Sequence, residues 1–142
     1  MPAEAMLVLD ASVAVAWVFE DETTPYTEAV LEFLSRGQAV VPSIWLLEVS
    51  NALVVAEQRN RLKEADTTRF LLALSQLPIT VEAESAAQAF GSTIQLARRY
   101  GLSTYDAAYL DLAVRLGVPL ATQDRDLRQA AALCGVEIFI PS

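Results

Sequence analysis

Short apolar runs alternate with helix-forming segments along the whole length of the chain. The apolar runs occupy residues 6–9, 39–41, 79–81, 118–122 and 136–140. Capping signals, such as Thr24 followed by Pro25, or Ser43 after Pro42, mark the starts of helical segments between them. Because strands that are separated by helices pair in parallel through right-handed crossovers, this order predicts an α/β fold with a central parallel sheet flanked by helices.

The length and charge of the chain limit its organisation and its partners. The 142 residues are 54% hydrophobic, so we expect one domain with one core over residues 1–142. The 18 acidic and 10 basic residues give a net charge of −8, which argues against coating nucleic acid by bulk charge. No basic residue precedes Arg36, and Asp10 interrupts the first apolar stretch. We therefore expect no signal peptide or membrane span, and a cytoplasmic protein.

The rarity of nucleophilic and soft side chains excludes several kinds of site. Without histidine, and with Cys134 as the one cysteine, the chain cannot build a Ser-His-Asp nucleophile, a disulfide framework or a His/Cys zinc site. Gly37, Gly101, Gly117 and Gly135 each follow a helical segment, where a residue with positive φ is expected, so no phosphate-binding glycine loop remains. Any chemistry must rest on carboxylates.

Four carboxylates occupy positions that call for an explanation. Asp10 follows the first apolar run, Asp106 and Asp124 begin later helical segments, and Glu48 lies in a mostly apolar helical segment. Taken singly, each aspartate is explained as a helix N-cap or part of a capping pair with Ser103, and Glu48 as a solvated side chain. Burying Glu48 unpaired would cost several kcal/mol, so it must face water, a cation or a cleft.

Taken together, these carboxylates predict a metal site. The carboxyl ends of parallel strands meet at one edge of a sheet, where ligands of such folds bind. Several carboxylates in one pocket repel one another unless a divalent cation compensates their charge. Oxygen ligands without histidine or cysteine favour Mg²⁺ or Mn²⁺, and such sites often bind substrate phosphates. The pattern favours phosphodiester chemistry.

Motifs along nearly the whole chain resemble those of a known family. They are LDAS at residues 9–12, Pro42 followed by Glu48 and NAL at 51–53, LSTYDAAY at 102–109 and LATQD at 120–124. In order and spacing these motifs are similar to those of the PIN-domain ribonucleases, and most closely to those of the VapC-like toxins of toxin–antitoxin pairs.

The resemblance implies a site, an activity and partners. It places four residues at the family's catalytic and metal-binding positions: Asp10, Glu48, Asp106 and Asp124. Ser12 and Thr122 match small hydroxyl residues that support the site, and Asp126 is a possible fifth carboxylate. The family implies Mg²⁺- or Mn²⁺-dependent endoribonuclease activity, a homodimer, and a cognate antitoxin protein that covers the acidic groove.

Two other functions are compatible with part of this pattern. A receiver-like signalling domain is also α/β with clustered aspartates, but it needs a lysine at a late strand end, and Lys63 is the only lysine. A non-catalytic protein-interaction module would keep the fold and use the carboxylates as helix caps alone. Metal binding distinguishes that module from the enzyme.

Two further expectations concern charged residues outside the acidic motifs. Four basic residues between two helical segments are candidates for RNA contacts, although a solvated surface is favoured: Arg59, Arg61, Lys63 and Arg69. Asp111 is expected on another face of the helix than Asp106, paired with Arg115 four residues on. Its substitution should cost only a few tenths of a kcal/mol and leave activity intact.

Overall fold

The strands form one parallel sheet in the computed structural model, which describes residues 5–141. They are β1 (Ala5–Leu9), β2 (Gly37–Pro42), β3 (Ile79–Glu82) and β4 (Leu120–Ala121). The strand order is β3-β2-β1-β4, so β1 is central, and its Val8 pairs with Val40 of β2 and with Leu120 of β4. The prediction of an α/β fold with a central parallel sheet is confirmed.

Helices connect the strands and flank the sheet. They are α1 (Ala11–Ala16), α2 (Pro25–Phe33), α3 (Ile44–Gln58), α4 (Glu64–Ser75), α5 (Ala86–Gln88), α6 (Ile94–Tyr100), α7 (Thr104–Leu116) and α8 (Arg125–Leu133). A π-helical turn, Ala89–Thr93, joins α5 to α6 without a break. Among residues 5–141, no helix combines the length and the apolar character that crossing a bilayer requires.

Side chains cap several helices at the positions that the sequence indicates. Asp10, Thr24, Ser103 and Asp124 each accept a hydrogen bond from a backbone N–H in the first turn of the helix that follows. Ser43 is an exception, because its hydroxyl donates to Glu84 Oε2 at 2.6 Å and makes no capping hydrogen bond to α3. The Ser43 side chain therefore bonds to Glu84, 41 residues away in the chain, and not to the first turn of α3.

The centre of the core lies between β1 and α7. Leu7, Val8 and Leu9 are fully buried, because β1 has strands on both sides and helices over its faces. In α7 every residue from 107 to 113 is buried, including Tyr109 at 0% exposure. A helix buried all round must find partners for its polar side chains inside the protein.

The last apolar run does not form the predicted strand. Residues 136–140 contribute a single bridge, between Ile138 and Leu120. The Leu120 N–H donates to the Glu137 carbonyl, and the Phe139 N–H donates to the Leu120 carbonyl. Since β4 itself has only two residues, it offers this segment too little edge for a longer ladder.

The glycines follow the prediction at three of four positions. Gly101, Gly117 and Gly135 have positive φ at helix ends, as expected. Gly37 was expected to do the same, but it begins β2 and does not have a positive φ. A Cβ on Gly37 would lie 2.6 Å from Cζ of Phe33 and 2.7 Å from the Ala5 carbonyl oxygen. Close packing, and not a left-handed backbone, explains this glycine.

Candidate active site

Asp10 lies where β1 ends and α1 begins, and its carboxylate is held by two hydroxyl groups. The hydroxyls of Ser12 and Thr122 donate to Oδ2 at 2.8 and 2.7 Å. Oδ1 has only a long contact of 3.5 Å with the Ser12 N–H. The Asp10 N–H donates to the Ala121 carbonyl at 3.0 Å, which fixes this residue against β4. Asp10 is buried, with 8% exposure.

Thr122 links Asp10 to Asp124. It is fully buried directly after β4, and its hydroxyl accepts a hydrogen bond from the Asp124 N–H at 3.0 Å while donating to Asp10. The Asp124 carboxylate Oδ2 accepts from the Leu127 N–H at 2.8 Å, so the predicted capping role is present. The hydroxyl groups of Ser12 and Thr122, which the family resemblance assigns as supporting groups, therefore both contact the Asp10 carboxylate.

Glu48 on α3 is held by a tyrosine from α7. The Tyr109 hydroxyl donates to Glu48 Oε1 at 2.6 Å, and the pKa of Tyr109 is raised by burial and by this carboxylate. Burial raises the pKa of Glu48, and the charges of Asp10 and Asp106 raise it further against the opposing effect of the Tyr109 hydrogen bond. Glu48 thus faces other carboxylates and not open solvent alone.

Asp106 occupies the first turn of α7 and also responds to the neighbouring carboxylates. Burial raises its pKa first, and the charges of Asp10, Asp124 and Asp126 add to that effect. The Asp106 N–H donates to the Ser103 hydroxyl at 3.0 Å, which lowers the pKa in part and forms half of a capping pair. Asp106 is therefore influenced by Asp10 and Asp124, and it influences Glu48 in turn.

The donor chemistry of this region fits a hard divalent cation. The charges that act on Glu48 and Asp106 are all carboxylates, and the raised pKa values of these two residues reflect burial and negative charge that a cation would offset. Within residues 5–141, however, no three Asp, Glu or Cys side chains are arranged to hold one ion jointly. Asp10, Glu48 and Asp124 are each turned toward their own hydrogen-bond donors.

Tyr109 is a site residue that the sequence reasoning did not identify. Its position three residues after Asp106 puts the two on the same side of α7, which was the available signal. Its contact with Glu48 joins residues that are 61 positions apart. Helical periodicity alone predicts a core aromatic at this position, and the hydroxyl's partner is visible only in the fold.

Two of the four basic residues proposed for RNA contacts have protein partners. Arg61 pairs with Asp21 and Glu22, and its guanidinium lies 4.2 Å from the centre of the Phe19 ring. Arg69 pairs with Asp66. These contacts agree with the interpretation of that region as an ordinary polar surface.

Asp111 is buried, so the small cost expected for its substitution, which holds for ion pairs on a helix surface, does not fit its surroundings. Its exposure is 2%, and its Oδ2 accepts hydrogen bonds from the Ser92 and Thr93 hydroxyls, both at 3.1 Å. The expected pairing with Arg115 is present as a charge contact of 3.4 Å from Nε to Oδ2. Because the middle of α7 is buried on all sides, Asp111 packs against the π-helical turn instead of facing water.

Comparisons with known proteins agree with this architecture. Residues 7–133, which include Asp10, Glu48, Asp106 and Asp124, match the model of the PIN domain. The ribonuclease VapC3 of Pyrobaculum aerophilum is 30% identical to this chain over 124 residues, covering 87% of this chain and 92% of the relative.

Solved structures share the fold at lower identity. A crystal structure of a Pyrobaculum aerophilum protein has a TM-score of 0.67 and 22% identity, and the match covers 89% of this chain and 84% of that one. A toxin–antitoxin complex from Klebsiella pneumoniae has a TM-score of 0.63 and 21% identity, with coverage of 97% and 98%. Together with the family match over most of its length, these likenesses mean that the chain belongs to the PIN domain family.

Proposed function

We propose that this chain is a metal-dependent endoribonuclease that acts as the toxin of a toxin–antitoxin pair. The observation that supports it most is the mutual approach of carboxylates: the charges of Asp10 and Asp106 raise the pKa of Glu48, and those of Asp10 and Asp124 raise the pKa of Asp106. Membership of the PIN family, with the ribonuclease VapC3 as a relative, supports RNA as the substrate.

The proposed metal ligands are four carboxylates, which act directly or through water: Asp10, Glu48, Asp106 and Asp124. Mg²⁺ or Mn²⁺ is the expected ion, because both prefer oxygen ligands and bind substrate phosphates. The chemistry that such an ion supplies is a lowered pKa for water and compensation of charge that develops on the phosphate. Asp126, which is exposed, lies at the border of this group.

The chain's own residues position the carboxylates for this role. Ser12 and Thr122 occupy Oδ2 of Asp10 and leave Oδ1 with only one long contact. The Tyr109 hydroxyl occupies Oε1 of Glu48 and orients its other oxygen. Hydroxyl groups that donate to a metal-binding carboxylate fix its direction and limit the reorganisation that binding requires.

A set of charge-removing substitutions tests the proposal. Asp10→Asn, Asp106→Asn, Asp124→Asn and Glu48→Gln should each abolish Mn²⁺-dependent cleavage of single-stranded RNA. Each should melt in EDTA no lower than the unsubstituted chain. Asparagine still caps a helix at positions 10 and 124, Ser103 still accepts from the backbone N–H of residue 106, and glutamine still accepts from Tyr109. Asp21→Asn is the matched control: Asp21 is 78% exposed and paired with Arg61 on the surface. It should cleave normally.

The same variants separate the enzyme from a non-catalytic module. Mg²⁺ or Mn²⁺ at about 100 times the dissociation constant should stabilise the folded chain by about 2.7 kcal/mol, and Asp10→Asn should reduce this. Titrations with each ion show which of the two binds more tightly. Cleavage that persists in all four site variants, or a melting temperature that neither ion changes, would rule out the metal site.

The proposed partners are an RNA substrate, a second copy of the chain and a cognate antitoxin protein that covers the acidic region. The similarity to a toxin–antitoxin complex supports the last of these. The protein encoded immediately upstream is the candidate to co-express with this chain. We expect it to bind and to inhibit RNA cleavage, and a lack of binding would remove the antitoxin part of the proposal.

A further inference from the structure

Some basic residues of this acidic protein form ion pairs with carboxylates and others do not. Four of the ten pair with carboxylates: Arg36, Arg61, Arg69 and Arg115. The other six make no ion pair within residues 5–141. Four of those six lie on α6 or α8, the helices next in the chain to Asp106 and Asp124: Arg98, Arg99, Arg125 and Arg128. Arginines without an ion pair therefore lie in the chain segments that adjoin Asp106 and Asp124.

Two of these arginines differ clearly in what surrounds them. Arg128 is engaged within the protein, because its Nε donates to the Thr122 carbonyl at 2.6 Å and its guanidinium lies 4.8 Å from the centre of the Tyr26 ring. Arg99 is exposed at the end of α6, and its guanidinium lies 5.7 Å from the centre of the Tyr100 ring. Arg99 thus has its hydrogen-bond donors available.

Arg99 lines an open cavity of about 350 Å³ between the end of α6 and α8. The other side chains that matter here are Tyr100, Asp126 and Gln129, and Gly101 leaves part of the wall open. Asp126 lines this cavity from the first turn of α8, two residues after Asp124, which caps the same helix. The cavity is therefore an extension of the proposed active site.

The polar groups of the cavity discriminate between ligands. A guanidinium offers a planar fork of donors that matches phosphate oxygens, and the Gln129 amide can supply another donor. Asp126, when ionised, accepts hydrogen bonds only, so it excludes a phosphate from its own side and leaves Arg99 and Gln129 as the contacts.

We propose that this cavity binds a backbone phosphate of the RNA strand next to the one that is cleaved, with Arg99 as its principal contact. This inference rests on the proposed ribonuclease function. It adds a substrate-binding residue that lies outside the acidic motifs. Since phosphate contacts position a strand without reading its bases, Arg99 should affect RNA affinity for every sequence.

Arg99→Gln and Arg98→Gln form a matched pair for the test. Both remove one positive charge from neighbouring positions of α6, but only Arg99 lines the cavity. Binding is measured in EDTA, where the RNA stays intact, by fluorescence anisotropy of a labelled single strand of about 12 nucleotides, within the usual range of site sizes. We expect Arg99→Gln to weaken binding about 10-fold, the effect of losing a charge-assisted hydrogen bond, and Arg98→Gln much less.

Salt dependence provides a second readout. The slope of log Kd against log salt should fall by about 0.7 in Arg99→Gln, as expected for one lost phosphate contact on a single strand. In Mn²⁺, Arg99→Gln should raise KM for RNA and leave kcat nearly unchanged. Inorganic phosphate alone tests the other source of this ligand: it should compete with RNA only weakly.

Each result bears on a separate claim. If the two substitutions weaken RNA binding equally, Arg99 acts only through its charge and the cavity assignment is wrong. The assignment is also wrong if neither variant changes the Kd, or if the unsubstituted chain has no detectable affinity for RNA. Tight binding of inorganic phosphate with no effect on RNA affinity would also overturn it. RNA binding that depends on Arg99 without any cleavage in Mn²⁺ would instead contradict the ribonuclease function.

Discussion

Thr122 is the single residue on which the local arrangement of the site depends most. One hydroxyl donates to Asp10 and accepts from the Asp124 N–H in a fully buried position. Valine has nearly the same shape and neither capacity. Thr122→Val therefore leaves the Asp124 N–H without this partner and frees Oδ2 of Asp10 from one of its donors.

We expect Thr122→Val to lower the affinity for Mn²⁺ by about 10- to 100-fold and the free energy of unfolding by about 1–3 kcal/mol. Melting curves across a Mn²⁺ titration measure both quantities. Thr122→Ser retains the hydroxyl and should restore most of the metal affinity. If the serine and valine variants bind Mn²⁺ equally, the hydroxyl does not position Asp10.

Glu48 gives the metal-free protein a pH dependence whose sign follows from its raised pKa. A carboxyl whose pKa is higher in the folded than in the unfolded state binds protons more tightly when folded. The stability that this provides is fully present below the ordinary carboxyl pKa of about 4.3, and it is lost as the pH rises through the raised value.

Glu48→Gln removes this titration. In EDTA the variant should melt above the unsubstituted chain at pH 7, and the difference should shrink as the pH falls toward about 4. Glu28→Gln on the exposed surface of α2 is the control and should show no such pH-dependent gain. A difference that stays constant from pH 4 to pH 8 would contradict the raised pKa of Glu48.

At the scale of elements, the π-helical turn and α7 are held together by Asp111. Two consecutive hydroxyls, Ser92 and Thr93, converge on the same carboxylate oxygen, and Arg115 lies beside it. A π-helical turn presents its side chains differently from a regular α-helix. The adjacent hydroxyls can therefore share one acceptor on the neighbouring helix.

Substitution of Asp111 should destabilise the fold by more than a surface change. Asp111→Asn removes the charge that faces Arg115 and weakens two hydrogen bonds, so we expect a loss of about 1–3 kcal/mol. Denaturant unfolding should show a lower midpoint with an unchanged slope. A double-mutant cycle with Thr93→Val should give a coupling of at least about 0.5 kcal/mol. Additive effects would mean that the contact contributes little.

At the scale of the whole molecule, apolar side chains remain exposed on two adjacent helices of the chain. On α3, Leu46 and Leu47 are 52% and 67% exposed, and on α4, Leu71 and Leu72 are 44% and 66% exposed. An apolar patch of this kind is typical of an interaction surface. It supports the proposed homodimer, for which two-fold symmetry is the commonest arrangement.

Light scattering at tens of micromolar, an order-of-magnitude range for dimer affinities, tests this proposal. We expect twice the chain mass of 15.4 kDa, and a shift toward the monomer in Leu47→Glu. Leu133→Glu is the control, since Leu133 is 69% exposed and lies on a different helix, α8. A monomer at all these concentrations would contradict the homodimer.

Much of the fold could be predicted because its signals are local. A cap is formed by residues within one turn of each other, so Asp10, Thr24, Ser103 and Asp124 could be assigned from the sequence. Short apolar runs between helices likewise favour a parallel sheet, because parallel strands need a crossover connection, which is usually a helix. The candidate carboxylates were likewise chosen from local positions: Asp10, Asp106 and Asp124 at the starts of helices, and Glu48 within an apolar helical segment.

Tertiary structure decided what depends on residues far apart in the chain. The partners of Asp111, Ser92 and Thr93, come from another segment of the chain, so its burial could not be predicted from the sequence. The hydrogen bond between Glu48 and Tyr109 likewise joins residues 61 positions apart. Residues 136–140 have strand-forming composition, but the short β4 offers them one bridge. Composition and spacing determined which elements form, and packing determined their partners, because burial depends on neighbours that only the folded chain brings together.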